Sequence, residues 1–208
     1  MSSLTLAQLE SRIATALMDV TYAVFDTATI DDAIRRALLD YSAAVPRHVN
    51  TTLALTSALS TNGREIDVST ITGLLDVTDV WCPYDPNDDR PTVCTFEFWR
   101  DDKTVYLSGG HAVQATDTAR IFYTSVHTLN GLDGATSTTI PTDREQLIQM
   151  GAIAYTLLSR AADLTEQVTV HKDAPLTLVE MAKGSLEVFR NLLDADAATE
   201  TAEKARQR

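Results

Sequence analysis

The sequence predicts an α+β fold: a four-helix body made of two N-terminal and two C-terminal helices, with an antiparallel β domain inserted between the pairs. Three observations predict it. Apolar residues recur at helical spacing near both ends of the chain, they alternate at strand spacing through the middle, and a glycine-rich loop followed by a helix-start signal marks the return from one pattern to the other.

The first helix is expected over 5–17, where Leu6, Leu9, Ile13, Ala16 and Leu17 share a face and Thr5 with Gln8 forms a capping box. The second is expected over 30–44, with Ile30, Ile34, Leu38, Tyr41 and Val45 in one stripe and Pro46 as its stop. From there the period is two. Leu53, Leu55, Ser57 and Leu59 alternate before a turn at Thr61, Asn62 and Gly63, and "EIDVS" and "LLDVTDVW" continue in strand-like pieces. "TVCTFEFW" and "TVYL" flank Arg100, Asp101, Asp102 and Lys103 as a hairpin, and "ARIFYTSVHTL" is the strongest strand. Residues 48–129 thus read as five to seven strands.

Gly131, Gly134 and the run 136–139 then make a loop, and Thr142 with Glu145 reads as a second capping box. Leu147, Met150, Ala154, Leu157, Leu158 and Ala161 line the helix that follows. The last helix, from about 175, carries Leu178, Val179, Ala182, Leu186, Phe189 and Leu193. Beyond Asp194 its stripe fades into "ADAATETAEKARQR", a tail that is either frayed or clamped by a neighbour. The domain division this implies is a helical body of 1–47 and 142–208 and a β-sandwich-like domain of 48–141.

Composition narrows the function. The 29 acidic and 17 basic residues give a net charge of -12, which disfavours a protein that grips nucleic acid through phosphate contacts. It suits one that lets DNA slide past, because an acidic wall repels the duplex. No apolar run reaches the roughly 20 residues of a membrane span, and "MSSLTLAQLESR" lacks the basic and apolar regions of a secretory signal, so cytosolic production and no membrane partner are expected.

No catalytic fingerprint emerges. Cys82 and Cys94 read as two free thiols on or near strands, with a cross-strand disulfide as the alternative. His48, His111, His127 and His171 stand apart, in no metal-ligand spacing, and are expected on the surface or on strand faces. Asp85, Asp88 and Asp89 in "YDPNDD" lack calcium-loop spacing and read as a solvated turn. "SGGH" lacks the Lys and Ser/Thr of a phosphate loop. Phe96, Phe98, Trp99, Tyr106, Phe122 and Tyr123 fall at strand alternation and are expected in the β core. The expectation is therefore no enzyme, no metal and no cofactor.

The phrases "LAQLESRIATAL", "IDDAIRRALLDYSAAVPR", "GREIDVSTITGLLDVTDVWCPY", "VHTLNGLDGATSTTIPTDREQLIQMGAIAYTLL" and "APLTLVEMAKGSLEVFRNLL" together resemble the head-to-tail connector (adaptor) proteins of tailed bacteriophages, across nearly the whole chain. The resemblance implies a virion protein assembled in the host cytoplasm. It implies a ring of about a dozen copies below the portal protein, with tail proteins docking beneath and DNA passing through the lumen without specific binding. Glu203, Lys204, Arg206 and Arg208 are then candidates for portal or neighbour contact. Tyr84, Asp85, Asp88, Asp89 and Arg90 form the candidate protruding loop of the β domain. Two other readings compete: a capsid or tail accessory module binding carbohydrate or a host surface through its β domain, and a small hydrolase using acids of the 85–89 loop with His111 or His127.

Overall fold

The computed structural model describes residues 3–89, 92–108, 113–166 and 173–206, with the backbone alone at 166, 173–174 and 203–206. It divides into two compact units, residues 1–45 with 127–208 and residues 46–126.

The first unit is helical. Helix α1 (Leu6–Ala16) opens on the predicted box: Gln8 N donates to Thr5 Oγ1 at 3.3 Å, and Thr5 N donates to Gln8 Oε1 at 3.0 Å. Its Ala16, assigned to the apolar face, is exposed, while Leu9, Ile13 and Ala14 are buried. Helix α2 (Thr27–Ala44) starts three residues before the expected Ile30, because the Asp26 side chain accepts from Thr29 N at 2.7 Å and caps it there. The buried Phe25 precedes that cap as an apolar anchor.

Helix α3 (Glu145–Glu166) is entered through a 3₁₀ turn at Thr142–Arg144, whose cap position is Pro141, with no side-chain bond there. This replaces the expected box at Thr142 and Glu145, and the Glu145 carboxylate instead accepts from Arg12 Nη1 at 2.8 Å. Helix α4 (Asp173–Arg206) is 34 residues long. Helix α3 packs on α1, α2 and α4 around one core that includes Leu9, Ile34, Tyr41, Ile148 and Phe189. Gly151 permits the α3–α4 approach, since a Cβ there would stand 2.7 Å from the Phe189 ring.

Residues 127–141, expected with the β domain, belong to the helical unit. Their apolar side chains explain why: Leu129, Leu132 and Ile140 are buried in the helical core. Leu6 N also donates to Asn130 O at 2.8 Å, and the Thr138 hydroxyl donates to Leu4 O.

The second unit holds β1 (Arg47–Ala54), β2 (Glu65–Asp67), β3 (Leu74–Trp81), β4 (Phe96–Trp99), β5 (Thr104–Leu107) and β6 (Thr118–Ser125). They form two antiparallel three-stranded sheets, β1-β6-β3 and β2-β5-β4. The alternation predicted over 53–59 overlaps β1 only at its end. The strand begins directly after Pro46 and pairs all eight residues with β6, from Arg47 opposite Ser125 to Ala54 opposite Thr118, so it stops where its partner stops. Ile66, Val80, Val105 and Ile121 are fully buried in a core that both sheets share. The expected hairpin joins β4 and β5, with Lys103 N donating to Arg100 O at 3.3 Å.

Candidate interaction surfaces

Of the candidate loop residues, Asp85, Asp88 and Asp89 are exposed, Tyr84 is half-buried and Arg90 lies outside the described residues. Asp85 Oδ1 accepts from Asn87 N at 2.9 Å and from Asn87 Nδ2 at 3.1 Å, the local bonding of a turn. Among the described residues, no group of three or more His, Cys, Asp or Glu side chains is placed to hold a metal ion.

Tyr84 belongs to a cluster that the sequence does not announce. Arg120 Nη1 donates to Tyr84 Oη at 2.6 Å and Nη2 donates to Asn50 Oδ1 at 2.9 Å. The guanidinium lies 5.1 Å from the Tyr84 ring centre, 5.4 Å from that of Phe122 and 6.0 Å from that of Trp81. Such contacts hold a cation against π faces where no carboxylate is needed. On the other sheet Trp99 and Tyr106 stack at 5.4 Å with an interplanar angle of 6°, and Trp99 is 43% exposed. The aromatic core expected for the β domain is thus corrected. Its fully buried residues are aliphatic apart from Cys82; Phe96, Phe98 and Tyr123 pack against them partly buried, whereas Trp99, Tyr106 and Phe122 lie outside that core. Cross-strand ring pairs on a half-exposed face satisfy the same alternation as a buried stripe.

The cysteines are free. Burial pushes the Cys82 thiol up to about 12 and raises Cys94 as well, which keeps both sulfurs protonated and poorly nucleophilic.

His127 overturns its surface assignment. It is buried, with Nε2 3.0 Å from Val45 O and Nδ1 3.1 Å from Thr139 O. Its backbone N donates to Ser42 Oγ at 2.9 Å, and its ring sits 4.9 Å from that of Tyr41. The imidazole ties the end of α2 to the 127–139 segment, a structural use that leaves neither ring nitrogen open to a substrate. His48 is exposed on β1, whereas His111 and His171 lie outside the described residues.

At the C-terminal end Glu203, Lys204 and Arg206 lie in the last turns of α4, described by their backbone, and Arg208 lies outside the described residues. The helix is clamped two residues past Asp194, at Asp196. Arg144 donates to Asp196 from Nε at 2.6 Å and from Nη2 at 2.8 Å, a two-pronged pair that also neutralises an acid close to α3.

Among the described residues, hollows open along the helices. One of about 300 Å³ is lined by Asp40, Ala43, Tyr155, Arg190 and Asp194, and the Tyr155 hydroxyl donates to Asp40 across it. Burial first, then the Asp40 carboxylate, raises Tyr155 above its ordinary value. The other, about 280 Å³, runs between Arg144, Leu147 and Met150 on one side and Leu192 and Asp196 on the other. Glu10, facing Asp31, is pushed up to about 7 by burial, then by the neighbouring carboxyl.

No protein-family model matches the chain, and no curated protein matches it. Among solved structures it is similar to a chain in the neck of a native GTA (gene transfer agent) particle computed with C12 symmetry. That likeness has 13% identity, covers 88% of this chain and 92% of the other, and has a TM-score of 0.30. A chain in the neck of an empty GTA particle computed with C6 symmetry gives 14% identity, 86% and 88% coverage and a TM-score of 0.31. At these TM-scores the likeness carries no argument about function.

Proposed function

We propose that the chain is a structural head-to-tail connector of a tailed phage or phage-like particle. Copies of it form a ring below the portal that extends the DNA channel and offers a docking surface to the tail. What supports the reading is the order of the build: two helices, a β insertion and two returning helices, as the resemblance of the sequence to connector proteins implies.

The charge fits the same role. A ring of copies each carrying -12 surrounds DNA without gripping it, provided enough acids face the lumen. In this reading the ring has about a dozen copies, the 203–208 segment contacts the portal or a neighbour, and the 84–90 loop projects from the β unit toward another component.

Deleting the coding sequence from a genome that carries it tests the proposal. The expected outcome is DNA-filled heads and free tails accumulating side by side, rejoined when the chain is supplied in trans. Normal tailed particles in its absence would overturn it.

The accessory-module reading has its own support in the exposed Trp99–Tyr106 stack, since flat rings in water suit the face of a sugar. Glycan binding that disappears in Trp99→Ala, while folding is kept, is its expected sign.

A further inference from the structure

Val45 is the last residue of the helical unit before the β insertion, and His127 is the first after it. The His127 ring joins the two: Nε2 lies 3.0 Å from Val45 O, while Nδ1 lies 3.1 Å from Thr139 O on the returning segment. Both oxygens only accept hydrogen bonds. A neutral imidazole carries one N–H, so its other nitrogen would set a lone pair against a carbonyl oxygen at hydrogen-bond distance. An imidazolium carries two and donates to both. The Thr139 hydroxyl also approaches Nδ1, but at 3.4 Å it is the more distant and weaker partner.

The surroundings favour the charge. Val45 caps the C-terminal end of α2, where the last carbonyls carry the negative pole of the helix. The Tyr41 ring stands 4.9 Å from the imidazole. Burial, then Asp196, pushes the Tyr41 phenol up to about 12, so it stays neutral, and the field that reaches it comes from Asp196, Asp143 and Glu200 against Arg144. Asp133, on the same returning segment as Thr139, is taken up by Arg35 at 2.9 Å. Acids therefore outnumber bases on this side of the core, the sign that holds a cation. Burial opposes the charge, and the two carbonyl oxygens stand in for the water that the ring gives up.

We infer that His127 is an imidazolium at neutral pH, its two ring N–H groups joining Val45 O to Thr139 O, and that it acts as a pH-sensitive clasp which loosens as pH rises. Loss of either ring proton turns one of the two bonds into a contact between lone pairs. The His127 N–H to Ser42 Oγ bond of 2.9 Å and the Ser42 hydroxyl to Leu38 O bond of 2.6 Å belong to the same join and loosen with it. An exposed imidazole releases its second proton at about pH 6.5. Over the range above that value in which the folded ring keeps the proton, the folded state binds more protons than the unfolded one, and stability falls as pH rises. Nothing in this clasp depends on the ring reading.

The test is nitrogen NMR of the full-length protein labelled with ¹⁵N-histidine, from pH 6 to pH 9, with His127→Gln to show which signals belong to His127. At pH 7 both ring nitrogens of His127 should resonate as N–H nitrogens. Towards pH 9 one should take the far-downfield position of a bare nitrogen, while hydrogen-exchange protection of the His127 amide falls about tenfold or more, as loss of a charge-assisted bond requires. One bare nitrogen already present at pH 7 would make the Thr139 hydroxyl the donor to Nδ1 and overturn the inference. Two protonated nitrogens up to pH 9 would leave a fixed cation and overturn the switch. Melting supplies the second readout, with Glu10→Gln as background because Glu10 titrates with the same sign. The helical midpoint should fall more steeply from pH 7 to pH 9 in Glu10→Gln than in Glu10→Gln with His127→Gln, and equal slopes would contradict the clasp.

Discussion

The helical unit and the β unit reach their cores by opposite routes. Each helix carries its own apolar stripe, and α1 and α2 have local capping chemistry, so Ile13, Ile34 and Phe189 are fully buried largely where the local period puts them. The strands have almost no such autonomy: β1 is defined by eight pairings with β6, more than 60 residues later, and the central β6 joins two strands that are not adjacent in sequence. The difference teaches that local physics writes the helical body, while the sheets depend on long-range closure and on an aliphatic core with aromatics kept outside it.

The largest expected effect comes from the helical core. Phe189→Ala removes a fully buried ring between α4 and α3 and should cost about 3–5 kcal/mol. The β counterpart, Ile121→Ala on the central strand, should cost about 2–4 kcal/mol. Both tryptophans, Trp81 and Trp99, lie in the β unit, so urea unfolding followed by tryptophan fluorescence reports that unit, and helical circular dichroism reports the other. Phe189→Ala should move chiefly the helical midpoint and Ile121→Ala chiefly the fluorescence midpoint. Coincident shifts in both variants would merge the two cores into one cooperative system and break the comparison.

A smaller effect belongs to the tie at the start of the 127–141 segment. His127→Ala removes the imidazole held between Val45 O and Thr139 O, where a neutral ring donates to one of the two carbonyls, and should cost about 1–3 kcal/mol in the helical transition. An unchanged midpoint would show that those carbonyls are satisfied without it.

Two carboxyl groups sharpen the picture through pH, with opposite signs. Asp19 is held below its ordinary 3.8, chiefly by the Phe25 N–H, so its contribution is present above that value and is lost as pH falls through its lower folded value. Asp19→Asn should lower stability at neutral pH and flatten the acid limb of the melting curve. Glu10 is raised from 4.5 to about 7, so its contribution is full below 4.5 and disappears as pH rises through 7. Glu10→Gln should leave the helical unit more stable than wild type at pH 8, by a few tenths of a kcal/mol for a pair screened by solvent, and no different at pH 4. Thermal melts at the two pH values decide both points.

Helix identities and the Thr5–Gln8 box were readable from residues a few positions apart, because the interactions that make them are that local. The Asp26 cap was readable in principle, from an Asp between a buried Phe25 and the stripe that starts at Ile30. Position 47–54 was less so: in "RHVNTTLA" only Val49 and Leu53 mark the half-buried face, and pairing with β6 fixes the strand. The burial of His127 depends on Val45 O, 82 positions away, and no local pattern encodes it. The α1–α2 connection was hidden for a related reason, since nothing in "LMDVTYAVF" shows that the Asp19 carboxylate gathers the backbone N–H groups of Ala23, Val24 and Phe25. Among the candidate contacts, the acids at 85–89 lie exposed as expected, while Tyr84 is engaged by Arg120, a pairing set by strand register.

Single-particle imaging of the assembled particle, with this chain marked by a small fused domain, tests the connector account most directly. The account predicts a closed ring of copies at the junction of head and tail, helical units side by side, with acidic side chains facing the channel. Particles complete at that junction without the chain, or marked density scattered elsewhere on the particle, would contradict it.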